Sequence, residues 1–281
     1  MELKPFIQWA GGKKQLLKHI IPLVPEEYKV YHEPFIGGGA LFFALQPKKA
    51  VINDNNKELI NCYIQIRDNP DKLCNEINVL DKFYPDTEEN YKTLRFMFND
   101  RLNTGEYDMT CAALMLVLNR RCFNGLYRVN SDGEFNTSWG QVFHGKMDRV
   151  NLANVMNISK YLNENDIKIC CKDFSEVCWE IQKDDFVFFD SPYIPMSETA
   201  NFVRYTAQGF NDTLHQRLSV IYRYVASVGA KAILTNNDNE KARNLYAGYK
   251  IIPVQALRSI NSDAKKRKTG KEIIVMNYTQ R

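Results

Sequence analysis

The segment from Asp184 to Tyr193 reads Asp-Asp-Phe-Val-Phe-Phe-Asp-Ser-Pro-Tyr. Its run of apolar residues reads as a buried strand. The carboxyl end of that strand then supplies a carboxylate, a backbone carbonyl ahead of a proline, and an aromatic ring. These types suit one kind of chemistry. The exocyclic amino group of a purine is a poor nucleophile, because its lone pair is delocalised into the ring. Two acceptors, the Asp190 carboxylate and the carbonyl of residue 191, can hold both N–H bonds of such a group. That localises the lone pair and prepares for loss of a proton. Pro192 fixes its own φ and so stiffens the turn. Tyr193 offers a face on which an extruded base can stack. No metal is needed for this. The same four residues also fit an ordinary Asp-Ser-Pro turn with a core tyrosine, so their meaning depends on what else the chain carries.

A second constellation is Glu33-Pro-Phe-Ile-Gly-Gly-Gly-Ala40, a strand running into three glycines and then a helix. Glycines let the backbone turn sharply and let a ligand approach the main chain. In an open α/β sheet such a turn lies at the carboxyl ends of the strands, where ligands bind. Asp54 ends the next strand and can accept hydrogen bonds from ribose hydroxyls. Two common nucleotide motifs are absent. The dinucleotide fingerprint needs a small residue where Phe42 stands, and a phosphate loop needs glycine at Ile7 and Ser or Thr at Lys14. The pattern therefore favours an adenosine ligand without a pyrophosphate. A further glycine turn, Phe6-Ile-Gln-Trp-Ala-Gly-Gly-Lys-Lys14, carries Trp9 and Lys13, which fit a core residue and a solvated helix start as well as a site.

The third constellation is cationic and aromatic. Residues 119–130 combine Arg120, Arg121 and Arg128 with Phe123 and Tyr127, and residues 264–271 read Ala-Lys-Lys-Arg-Lys-Thr-Gly-Lys. Cations neutralise phosphates, and arginine can pair bidentately with guanine. Phe123 with Asn124 could fill the gap left by an extruded base. A solvated loop and a helix end explain the same residues without a ligand.

The 281 residues are 44% hydrophobic and 25% charged, which excludes a disordered, collagenous or coiled-coil chain. The net charge of +4 permits a nucleic-acid partner without demanding one. No run approaches the roughly 18 apolar residues of a membrane span. The 7 cysteines include no C-x-x-C pair and the 4 histidines are scattered, so neither a zinc site nor a disulfide framework is expected. With no signal-peptide core at the N-terminus, the expected location is cytoplasmic.

Short apolar strands are expected at Val30–Glu33, Ala50–Asn53, Ile167–Cys171, Phe186–Phe189, Ala230–Thr235, Tyr249–Gln255 and Glu272–Tyr278. Helical spacing marks Tyr91–Arg101, Cys111–Leu118 and the segment 211–228, capped by Asn211 or Thr213. Apolar strands separated by helices imply an α/β fold with a mostly parallel, doubly covered sheet. The last two strands read as an antiparallel hairpin at its edge. A different, polar and helical texture from about 60 to 165 reads as an insertion.

Taken in order, Trp9-Ala-Gly-Gly-Lys13, Glu33-Pro-Phe-Ile-Gly-Gly-Gly39, Asn53-Asp54, Asn119-Arg-Arg-Cys-Phe-Asn-Gly-Leu-Tyr-Arg128, Asp173-Phe174 and Asp190-Ser-Pro-Tyr193 strongly resemble the Dam-type (D12 class) site-specific DNA adenine-N6 methyltransferases. The resemblance spans nearly the whole chain. It implies a Rossmann-like S-adenosylmethionine-dependent methyltransferase sheet, residues 1–59 and 166–281, with an inserted, mainly helical DNA-recognition domain, residues 60–165. It implies methyl transfer from S-adenosylmethionine to adenine N6 in a short double-stranded DNA sequence, by base flipping. By the same resemblance, Trp9, Lys13, Phe35, Gly37, Gly39, Asp54, Asp173, Phe174 and Asp190 hold the cofactor, and Asp190, Ser191, Pro192 and Tyr193 carry catalysis. DNA is expected to meet Gln8, Arg121, Phe123, Asn124, Leu126, Arg128 and Ser138, together with Lys265, Lys266, Arg267 and Lys268. A cognate restriction endonuclease acting on the same site is a possible partner; no membrane and no metal are expected. The chain departs from the family at Ser191, usually proline, at Gln8, often lysine, and at Thr137-Ser138, usually valine-proline. The last two lie where the family touches DNA, so the expected target is GATC or a related site. Ser191 leaves open a second reading, a catalytically weakened DNA-binding protein of the same fold.

Overall fold

Strands form where apolar residues run unbroken, as parallel strands covered on both faces require. The computed structural model describes residues 2–9, 16–140, 149–195, 210–257 and 269–279. Its sheet has seven strands: β1 (Tyr31–Glu33), β2 (Lys49–Asn53), β3 (Asp166–Cys170), β4 (Phe186–Phe189), β5 (Lys231–Asn237), β6 (Lys250–Leu257) and β7 (Thr269–Met276), in the spatial order β3-β2-β1-β4-β5-β7-β6. The first five pair in parallel. β7 is antiparallel to both β5 and β6 and lies between them. The mostly parallel sheet with an antiparallel edge hairpin is therefore as expected. The strands run outward from β1 through β2 to β3 in one direction, and from β4 through β5 and β7 to β6 in the other. The carboxyl ends of β1 and β4 thus flank the crevice where ligands of such sheets bind.

The central strand β4 is buried at every position. Alternate residues face two cores. Phe186 and Phe188 join Tyr31, Ile52 and Ile274 on one face, and Val187 and Phe189 join Leu234, Val275, Leu218 and Tyr222 on the other. Short helices α1 (Leu17–Ile20) and α2 (Ala40–Leu45) precede β2. Between β2 and β3 the chain forms α3 (Lys57–Asp68), α4 (Pro70–Phe83), α5 (Glu88–Thr104), α6 (Met109–Arg121) and α7 (Leu152–Glu164). The expected break in texture at 60–165 coincides with this helical run. Each of α3, α5, α6 and α7 starts on an Asn, Thr or Asp whose side chain accepts a first-turn N–H: Asn56, Thr87, Asp108 and Asn151. α6 is buried all round from Cys111 to Asn119, because α3, α4 and α5 enclose it. Its core is continuous with the sheet face that carries Tyr31 and Phe186. The opposite face is covered by α8 (Phe174–Cys178), α9 (Asp212–Ser227) and α10 (Glu240–Leu245). Asn211, not Thr213, caps α9, accepting from the Leu214 N–H at 3.0 Å. Among the described residues no helix is long and apolar enough to cross a membrane, and no His, Cys, Asp and Glu cluster could hold a metal ion.

Candidate active site

The glycine turn leaves the carboxyl end of β1. Gly37 and Gly39 have φ of 48° and 69°, the left-handed region that L side chains avoid. A Cβ on Gly37 would lie 2.8 Å from the Trp9 ring, and one on Gly39 would lie 2.7 Å from the Tyr63 hydroxyl. Both positions need glycine for conformation and for space. The turn is held from outside. The Gly37 N–H donates to Asp54 Oδ2 at 3.1 Å, and the Asn56 N–H donates to Asp54 Oδ1 at 3.0 Å. Each oxygen keeps a lone pair for a further donor. Burial pushes the Asp54 carboxyl up, against these two bonds. The Asn53 amide ties the ends of neighbouring strands, donating to the carbonyls of Pro34 and Lys172, both at 3.0 Å. Behind the turn, Tyr31 donates to Glu33 at 2.6 Å, and burial raises the Glu33 carboxyl well above the usual range.

Three phenyl rings meet beside this turn. Phe35 lies 5.1 Å from Phe174 and 5.9 Å from Phe210, and Phe174 lies 6.0 Å from Phe210. Asp173 accepts from the Ser175 N–H and hydroxyl and pairs with Arg217, whose guanidinium lies 4.7 Å from the Phe174 ring centre. Burial alone would raise the Asp173 carboxyl, but the Ser175 bonds and the Arg217 charge outweigh it and hold it below the carboxylate range. Phe210 and Arg217 were not legible as site residues, because neither lies in a motif. The only signal was position, since Phe210 directly precedes the α9 cap.

The Asp190–Tyr193 turn emerges from β4, across the crevice from the glycines. Three consecutive β5 residues support it. Thr235 Oγ1 donates to Asp190 Oδ1 at 3.0 Å, Asn236 Oδ1 accepts from the Ile194 N–H at 3.0 Å, and the Asn237 amide donates to the Ile194 carbonyl at 2.7 Å. From β7, Glu272 Oε2 accepts the Tyr193 hydroxyl proton at 2.7 Å. Burial, with Asp190 and Glu272 close by, drives the Tyr193 phenol well above its ordinary value. Ser191 is 2% exposed, and its hydroxyl has no partner among the described residues.

The N-terminal segment joins the glycine turn to the basic, aromatic segment. The Asn119 amide pairs with both backbone groups of Gln8, at 2.9 and 2.8 Å, and donates to the Gly125 carbonyl at 3.0 Å. Trp9 packs on Gly37 and stacks on Tyr127 at 5.2 Å. Beyond α6, Phe123 and Asn124 are exposed, Asn124 with φ 55°. A small hairpin follows, with Val129 opposite Phe135. Its turn is closed by Asn130 Oδ1, which accepts from the N–H groups of Asp132 and Glu134. α5 braces it through Asn99, whose amide pairs with both backbone groups of Phe135. Arg128 donates from Nε to Asn136 Oδ1 at 2.8 Å and from Nη2 to the Asn136 carbonyl at 3.2 Å. Leu126 is half-buried and Ser138 exposed. Thr137 is buried, its hydroxyl on the Leu126 carbonyl at 2.7 Å, so that departure from the family pattern serves the hairpin itself.

Arg121 is not on this surface. Its side chain is buried, with Nη2 on Asp81 Oδ1 and Nη1 on the Tyr84 carbonyl, both at 2.7 Å. Two paired acceptors draw it inward, although Phe123 and Asn124 just beyond it are exposed. Lys13 and Lys265–Lys268 lie outside the described residues. The structure thus brings together Trp9, Gly37, Gly39 and Asp54 at one wall, Phe35, Asp173 and Phe174 beside them, and Asp190–Tyr193 across the crevice.

The glycine turn after β1, the acid at the end of β2 and the Asp190–Tyr193 turn after β4 thus lie at the carboxyl ends of neighbouring parallel strands. The model of the D12 class N6 adenine-specific DNA methyltransferases matches residues 9–260, and the chain belongs to that family. It is 43% identical over 279 residues to the Type II methyltransferase M1.LlaDCHI of Lactococcus lactis subsp. cremoris, covering 99% of this chain and 96% of that one. It is 40% identical over 294 residues to the Type II methyltransferase M.MjaIII of Methanocaldococcus jannaschii, covering 99% of this chain and 100% of the other. Against the DNA adenine methylase of Haemophilus influenzae the identity is 29% over 279 residues, with 97% and 93% covered.

Proposed function

We propose that this enzyme transfers a methyl group from S-adenosylmethionine to adenine N6 within a short duplex DNA sequence, GATC or a related site, after extruding the target base. The observation that carries the reading is the Asp190–Tyr193 turn, held by β5 and β7 opposite the glycine turn. The cofactor fits the residues present. Asp54 keeps a lone pair for ribose hydroxyls, the Phe35, Phe174 and Phe210 rings offer an apolar bed for adenine, and Gly37 and Gly39 let the turn close against Trp9 and Tyr63. When bound, it supplies a sulfonium-activated methyl group. Asp190 and the residue 191 carbonyl accept the two N–H bonds of the target amino group, and Tyr193 stacks on the base. Asp190 is the acceptor placed for the proton that N6 gives up. Holding these groups before reaction favours the transition state over the ground state.

Residues 60–165 form the proposed recognition part, with residues 1–59 and 166–281 as the catalytic part. Gln8, Phe123, Asn124, Leu126, Arg128 and Ser138 are its proposed DNA contacts, and Lys265–Lys268 contribute phosphate contacts. The buried Arg121 is left out. A Type II partnership, with a restriction endonuclease cutting the same sequence, is suggested by the names of two relatives that align with 99% of this chain. The binding-only reading raised by Ser191 has less support, since a carbonyl persists at residue 191 and Thr235 holds the Asp190 carboxylate. The test is transfer of tritiated methyl to duplexes carrying GATC and every single substitution of it, followed by identification of the labelled base. N6-labelled adenine in one short site is expected. No incorporation into any duplex, with S-adenosylmethionine still bound, would reject the reading.

A further inference from the structure

The family motifs account for Tyr193 but not for what holds its ring. Residues 190–194 are clamped through Asp190 and through both backbone groups of Ile194, all by side chains of β5. These clamps fix the path of the turn. They leave two side-chain torsions of Tyr193 to be set by contacts further out. At the far end of the ring, the phenol gives its proton to Glu272 at 2.7 Å. That distance suits an O–H donor on a carboxylate, the stronger class of hydrogen bond. Glu272 is itself anchored in the sheet, in register with Asn237 of β5 on one side and Val254 of β6 on the other. Thr235 donates to Asp190 and adjoins the phenol, so the carboxylate and the ring share one support.

We infer that Glu272 is a positioning residue: through the phenol it fixes the plane of the Tyr193 ring, and so the angle at which the target base is presented to Asp190. The inference rests on the proposed base-extrusion reading. A carboxylate only accepts, so it imposes one donor direction on the phenol. A base stacked on a ring that is free to swing loses the alignment on which the reaction rate depends, and small misplacements are costly. Ground-state DNA binding, made through the recognition segment, does not depend on that angle.

The experiment uses the full-length enzyme with Tyr193→Phe, Glu272→Leu, Glu272→Gln and the Tyr193→Phe/Glu272→Leu double variant. Steady-state rates are measured on the preferred duplex, along with calorimetry for S-adenosylmethionine and the emission of 2-aminopurine placed at the target adenine. Tyr193→Phe and Glu272→Leu should each lower kcat by about tenfold, the scale of one hydrogen bond to a charged group. KM for DNA and cofactor affinity should change little. The double variant should be no worse than the poorer single variant, because both remove the same bond. Glu272→Gln keeps an acceptor and should restore most of the rate. Emission of the 2-aminopurine should rise in Tyr193→Phe and Glu272→Leu and stay near wild type in Glu272→Gln. Additive losses in the double variant would overturn the inference, since Glu272 would then act elsewhere. So would Glu272→Gln being as impaired as Glu272→Leu, or a loss confined to cofactor affinity. A wild type that labels no duplex adenine would instead overturn the function on which the inference rests.

Discussion

At the scale of residues, the proposed roles of Asp190 and Tyr193 depend on hydrogen bonds from Thr235 of β5 and to Glu272 of β7. Asp190 and Tyr193 announce themselves because a buried strand ends in types that suit an amino group. Thr235 and Glu272 lie 45 and 79 residues away, joined to the turn only by sheet register, and nothing local marks them. Replacing Asp190 by Asn tests the role directly. The amide keeps the size but accepts poorly and cannot take a proton. Methylation should fall by roughly a hundredfold or more, while duplex binding in a mobility-shift assay stays near wild type. Near-native turnover would mean that the carboxylate is not used. Ser191 carries a buried hydroxyl without a partner among the described residues, a cost that a proline would not incur. Ser191→Pro should therefore preserve or raise kcat. A collapse of kcat at unchanged folding would give the hydroxyl a function of its own.

At the scale of elements, periodicity locates the first six strands to within two residues and the start of β7 to within three, and the glycine turn locates the crevice. It could not show how the turn is braced. Asp54 was read as a ribose acceptor, and it also holds the N–H groups of Gly37 and Asn56. Asp54→Ala removes both functions. S-adenosylmethionine affinity should drop by roughly tenfold or more, measured by calorimetry, consistent with about 1.5–3 kcal/mol for bonds to a charged group. An unchanged dissociation constant in a folded variant would reject the assignment. The hairpin after α6 went unrecognised because its strands are too short for period-two alternation to register, and its register rests on side chains of α5. Asn136 takes the Nε bond and one Nη2 bond of Arg128, and the proposed guanine contact would use the remaining Nη1 and Nη2 hydrogens. Arg128→Ala should relax the preference at one base pair of the site by about 1–3 kcal/mol, read as methylation rates on singly substituted duplexes. A uniform fall on all duplexes would make Arg128 a phosphate contact or a structural residue.

At the scale of the whole molecule, the sheet and the helical run between β2 and β3 share a core, and the buried ion pair at the end of α6 bears on how firmly the proposed recognition segment is mounted. Sequence reasoning grouped Arg121 with its cationic neighbours, since adjacent arginines read as one basic patch. Folding separates them. At the end of α6, Arg121 turns under α4 to Asp81 and the Tyr84 carbonyl, while residues 123 and 124 face outward. The Arg121 side chain is 2% exposed and that of Asp81 14%, so neither charge is well solvated. Removing Arg121 leaves Asp81 facing only the exposed Arg149, at 4.0 Å, and breaking such a pair costs about 3 kcal/mol. Arg121→Met should therefore lower the melting temperature by roughly 10 °C. Adding Asp81→Leu should recover much of that loss, because a buried pair replaced by packed apolar groups is often no less stable. Below the melting range, the pattern of rates across substituted duplexes should keep its order in both variants, because no base contact has been touched. Melting curves and the duplex panel together decide the matter. A single variant that melts like the wild type but relaxes the preference at one base pair would place Arg121 on the DNA after all.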